Sequence, residues 1–220
     1  MNRLDLAELR AQATRADYAS MARLARALYA DGLDAREVLR ECYGVTFPDE
    51  VFAVVDAGLW ALDLRANFTN QPWELAVPPT RGGPAERPDP LAEVEARLWE
   101  RDPDLLPVLE VPGAGAGDAD RVLCYRLTEL RAGRPSVFAL AEEPYPARGI
   151  APGGAERCGD CLLDVVREEH ARTLRALEEE LNSPWNVGAG SLAADEVEDA
   201  RATLEHIDRL RGTVDGQRDG

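Results

Sequence analysis

Cys158-Gly-Asp-Cys161 is the one spacing in this 220-residue chain with chemical character. A Cys-x-x-Cys pair just ahead of a helix can carry a lowered thiolate pKa or supply half of a tetrahedral zinc site. Zinc needs two more ligands, and the remaining Cys and His residues, Cys42, Cys124, His170 and His206, include no second closely spaced pair. A thioredoxin-like redox role goes with a neighbouring βαβ pattern, and the chain shows none. The pair therefore reads first as two small residues at a helix start, with a thiol-dependent or zinc-assisted enzyme as the alternative.

The other chemistry-bearing residues have plainer readings. His170 falls on the apolar stripe of its helix, four residues after Val166 and four before Leu174, and is expected to be packed and hydrogen-bonded. No Ser or Cys motif presents a nucleophile for it. His206, beside Ile207 in an acid-rich segment, reads the same way. The run Gly113-Ala-Gly115-Ala-Gly117-Asp118 lacks the GxGxxG spacing and any Lys-Ser/Thr pair, and Asp118 and Asp120 would repel phosphate, so it reads as a flexible strand connection. Glu178, Glu179 and Glu180 form a solvated helix face. Trp73, in Asn70-Gln71-Pro72-Trp73-Glu74, is the tryptophan expected to be accessible. No catalytic residue, metal site or cofactor is assigned.

Charge narrows the partners. With 41 acidic against 25 basic residues the net charge is -16, which repels nucleic acid and anionic lipid and draws in basic proteins. Every basic residue is Arg. No apolar run approaches the roughly 18 residues that cross a bilayer, and the N-terminus lacks a secretory h-region, so a soluble cytoplasmic protein is expected. The four cysteines are too few and too scattered for a disulfide framework.

Several elements must position these residues. Apolar steps of three and four predict a helix over 4–30, or two joined near Asp17. Asp34 caps a helix over 35–42 that Gly44 ends, and Pro48 with two acids opens a helix over 48–57 ending at Gly58. Residues 59–68 alternate as a strand, 77–90 read as a mobile surface loop, and 91–99 read as a helix. The stretch 105–140 holds three strands, 105–111, 122–127 and 136–140. Pro107 marks an edge or bulge, and the short link 131–135 pairs the last two strands antiparallel. A Pro- and Gly-rich loop then leads to a helix over 162–181, in which Glu168 stands four residues before Arg172, and to a last helix over 194–210. The tail 212–220 is expected to fray.

Read together, these pieces resemble a known group. TFPDEVFAVVDAG at 46–58 is similar to the "LP-x-E, hydrophobic helix, Gly" entry of the SUKH superfamily, which joins bacterial immunity proteins to fungal cell-wall regulators. LLPVLEVPGAGAGDADRVLCYRL at 105–127 looks like that family's strand, Gly-Asp turn and second strand. RPSVFALAEE at 134–143 resembles its next strand with trailing acids, and CLLDVVREEH at 161–170 its closing helix. The resemblance covers about residues 35–180. It implies an α+β fold, a mainly antiparallel sheet backed by helices with additional N-terminal and C-terminal helices. The domain is placed at 35–182, after an N-terminal helical segment at 1–34 and before a C-terminal helix and tail at 183–220.

The resemblance also implies a non-enzymatic protein-binding role, such as an immunity protein that neutralises a toxin by direct contact. An acidic surface complements a basic toxin domain. Asp118, Asp120, Glu142, Glu143 and Tyr145, in loops at the sheet margin, are the expected contact residues. A structural or oligomerising scaffold, using the helices 162–181 and 194–210 as its interface, is the third reading.

Overall fold

The three central strands fold as a continuous antiparallel meander. The computed structural model describes residues 6–59, 62, 64–84, 92–114, 118–142, 151, 153–183 and 190–218, without the side chains of 92, 93, 190–193, 217 and 218. Strands β1 (Asn67–Phe68), β2 (Leu105–Val111), β3 (Arg121–Arg126), β4 (Val137–Ala141) and β5 (Glu156–Gly159) lie in that spatial order, each antiparallel to the next. Helices α1 (Leu6–Gln12), α2 (Tyr18–Ala30), α3 (Ala35–Tyr43) and α4 (Asp49–Ala57) precede the central strands. The short α5 (Trp73–Ala76) and then α6 (Ala92–Arg101) lead into β2, and the single turn α7 (Leu127–Arg131) links β3 to β4. Two long helices, α8 (Leu162–Leu181) and α9 (Gly190–Arg218), close the chain. This is the expected α+β fold.

Both faces of the sheet are covered. Leu106, Leu123, Tyr125, Val137 and Ala139 join the main core with residues of α2, α4, α8 and α9. Leu105, Val122, Cys124 and Leu140 face the other way, against Leu98 of α6. Two-sided burial explains why β2 reads as an almost unbroken apolar run. Its register with β3 shifts between Pro107 and Leu109, so Val108 and Leu109 both enter the main core. Pro107 thus marks a bulge in an inner strand. The Pro107 carbonyl accepts instead from Thr69 Oγ1 at 2.9 Å.

Local signals set the helix ends. Asp17 caps α2, Asp34 and Glu37 form a capping box on α3, and Gly44 ends α3 with φ +66°. Near the other end of the chain, Ile207, Leu210 and Val214 form one buried stripe, so α9 runs through the segment expected to fray. The N-terminal Leu9 and the C-terminal Val214 belong to one apolar cluster.

Other expectations change. Within 59–68 only Asn67–Phe68 pairs as a strand among the described residues, because the backbone N–H of Arg65 turns away to His170 Nε2 at 3.0 Å. The described part of the 77–90 loop carries a 3-10 turn (Pro79–Arg81) and buries Gly83 and Pro84. A Cβ on Gly83 would lie 2.5 Å from the Val77 carbonyl oxygen, so the chain passes there only as glycine. Trp73 is fully buried, its Nε1 donating to the Val108 carbonyl at 2.6 Å. Glu168 pairs with Arg175 at 3.1 Å, while Arg172 turns to Glu169.

Candidate functional site

Strand alternation gathers three carboxyl groups at one end of the sheet. Glu110 on β2 pairs in register with Val122, Asp120 lies two residues before Val122, and Glu142 lies two residues after Leu140. All three therefore continue the α6-side face carried by Val122 and Leu140. The Glu142 N–H donates to the Asp120 carbonyl at 2.8 Å, which extends the β3–β4 ladder by one bond and brings the two acids side by side. One oxygen from each of Glu110, Asp120 and Glu142 lies within 4.8 Å of the others.

This rim is electrostatically strained. Burial, then Glu110, then Asp120, push the Glu142 carboxyl up from the usual 4.5 to about 7. Its Oε1 is shielded from solvent and has no hydrogen-bond partner. Such a group gains from a cationic neighbour. Three hard oxygen donors are also the type that Ca²⁺ or Mg²⁺ takes. Beside them runs a groove of about 400 Å³ lined by Leu64, Arg65, Ala66, Asn67 and Pro112 together with Glu110 and Asp120.

Of the residues expected to contact a partner, Asp120 and Glu142 are brought together. Asp118 is exposed nearby, where its carbonyl would lie 2.4 Å from a Cβ on Gly113, so the β2–β3 connection is tight at its base. Asp120 Oδ1 accepts from the Gly113 N–H at 2.9 Å. Glu143 and Tyr145 lie outside the described residues. Glu110 was not anticipated. The signal for it is a single acid in an otherwise apolar strand, legible only once the β2–β3 register is known.

The cysteine pair sits in a different environment. Cys158 is in β5, 3.4 Å from an Arg121 nitrogen, and Cys161 is the residue before α8. Both are free thiols. Cys161 Sγ donates to Glu50 Oε2 at 2.7 Å, and burial followed by that carboxyl pushes its thiol up to about 12. Burial also raises Cys158, more than Arg121 lowers it. Thiolate chemistry is disfavoured at both positions.

Glu50 itself is a hub. It is 1% exposed and accepts from Tyr125 Oη, Cys161 Sγ and the backbone N–H groups of Leu162 and Leu163, at 2.7 to 3.3 Å. Cys161 offers α8 no side-chain cap, so a carboxyl 112 residues away from Leu162 caps the helix instead. One side chain thereby fastens α4, β3 and α8 together. It is also the Glu of the Pro48-x-Glu50 motif.

Two further buried titratable groups hold backbone segments in place. His170, 2% exposed, holds the Val166 carbonyl with Nδ1 at 2.8 Å and the Arg65 N–H with Nε2. Burial lowers its pKa from the usual 6.5. Glu95 of α6 accepts from the N–H groups of Asn70 and Gln71, and burial outweighs these donors to raise it to about 7. Gln71 is held in turn by Tyr43 Oη at 2.7 Å and donates to the Arg15 carbonyl at 3.0 Å. The Asn70–Trp73 segment is thus a buried brace beneath α6.

Comparison with family models, with curated proteins and with solved structures finds no match to this chain.

Proposed function

We propose that this chain is a non-catalytic protein-binding module of the cytoplasm, of the SUKH type, which uses the carboxyl rim of Glu110, Asp120 and Glu142 to engage a basic partner such as a toxin domain. The observation that carries the reading is the rim itself, three carboxyl groups beside a groove, with a shielded Glu142 oxygen lacking a donor. A guanidinium or ammonium group from a partner would supply that donor, and the overall charge of -16 would steer the encounter. The thiol-enzyme alternative is weakened by the raised pKa of both Cys158 and Cys161. In the described residues no helix is long and apolar enough to cross a membrane.

The test is protection against, and complex formation with, any toxin found encoded beside this gene. Glu110→Arg combined with Asp120→Arg should abolish protection and slow association. Glu179→Arg combined with Glu180→Arg, at the far end of α8, should leave both intact. Equal loss in the two double variants would reduce the rim to bulk charge, and absence of any complex with the unaltered protein would reject the reading.

A further inference from the structure

A single histidine ties the groove wall to the closing helices. The Val166 carbonyl can only accept, so Nδ1 of His170 must carry its proton, leaving Nε2 as the lone-pair acceptor for the Arg65 N–H. Both ring nitrogens are committed, and the ring is 2% exposed. Arg65 stands in the groove wall, followed by Ala66 and Asn67. Asn67 in β1 lies opposite Glu110 in β2. The bond from α8 therefore fixes the near wall of the acidic groove.

We propose that His170 is a proton-operated clasp: neutral, it holds the Arg65 backbone and the 64–67 wall against the groove, and protonated, it releases them. Protonation places a hydrogen on Nε2, which then confronts the Arg65 N–H donor to donor. The surrounding charges do not favour the imidazolium. Arg65 faces it with a like charge and lies 4.0 Å from Glu196 of α9, while Glu169, next along α8, is already held by Arg121 of β3 and by Arg172. The lowered pKa of the ring agrees with this geometry. Release would widen the groove beside Glu110 and Asp120 without unfolding the sheet, and it does not depend on what the groove binds.

The experiment is a pH titration of the full chain by ¹⁵N NMR, following the His170 ring nitrogens and the exchange protection of the Arg65 amide, corrected for intrinsic exchange. At neutral pH the ring should be the Nδ1–H tautomer. As it protonates, Arg65 protection should fall about tenfold or more in step, while the Leu123 amide in β3 stays protected. His170→Gln, whose amide can accept from Arg65 and donate to Val166 without titrating, should hold Arg65 protection flat. Three results overturn the proposal: an Nε2–H tautomer, Arg65 protection indifferent to ring protonation, or loss only together with Leu123. Where His170→Gln does not fold, the co-titration in the unaltered chain decides alone.

Discussion

Glu50 is a buried glutamate at the start of α4 and Glu142 a half-buried one just after β4, and their surroundings are opposite. Glu50 meets four donors and serves three elements. Glu142 meets two other acids, and one of its oxygens meets nothing. A buried polar group costs little when its partners are built into the fold and much when they are not. The first carboxyl is explained by architecture, whereas the second is left with an unmet requirement for a donor.

The largest expected effect breaks this contrast at its structural pole. Glu50→Ala strips the acceptor from four donors and uncaps α8, and should lower unfolding free energy by about 3 kcal/mol or more, read from the denaturant midpoint. Glu142→Gln should instead leave stability at mildly alkaline pH unchanged or raise it by about 1 kcal/mol, a figure reduced for partial exposure, because the amide can donate to Glu110 or Asp120. Equal destabilisation by both changes would erase the distinction.

The pH profiles sharpen it. Glu142 and Glu95 have folded pKa values raised from 4.5 to about 7, so each holds its proton more tightly when folded. Their contribution is full below 4.5 and is lost as pH rises through 7. His170 has a lowered folded pKa, so its contribution is full above 6.5 and is lost as pH falls below it. Thermal melts across this range should lose part of the alkaline decline in Glu142→Gln and the acid-side decline in His170→Gln. The smallest effect belongs to the thiols. Cys161→Ser keeps a donor for Glu50 and should cost less than about 1 kcal/mol, while Cys161→Ala should cost about 1 kcal/mol.

Much of the fold was legible because its signals are local. Asp17, Asp34, Gly44 and Gly58 punctuate helices through their own backbone and side-chain chemistry, and α8 was bounded correctly at both ends. What was missed depends on distant partners. Arg65 belongs to a strand-like alternation but is captured by His170, 105 residues away. Trp73 looks like a loop residue until β2 supplies a carbonyl for its indole. The frayed tail became helix because Val214 found the main core. At the rim, Asp120 and Glu142 stood out as acids flanking strands, but Glu110 joins them only through a register that a bulge at Pro107 shifts.

The Glu50 hub also sets the order in which the molecule can be completed. Its donors at Cys161, Leu162 and Leu163 leave the ribosome more than a hundred residues after the carboxyl that needs them. Until then the nascent chain carries α4 with an acid facing what will be its interior, where the sheet offers it only the Tyr125 hydroxyl. Contacts of such separation slow folding and lengthen the exposure of apolar surface during synthesis. The native state is therefore sealed only once α8 is in place and a single glutamate takes hold of its first turn.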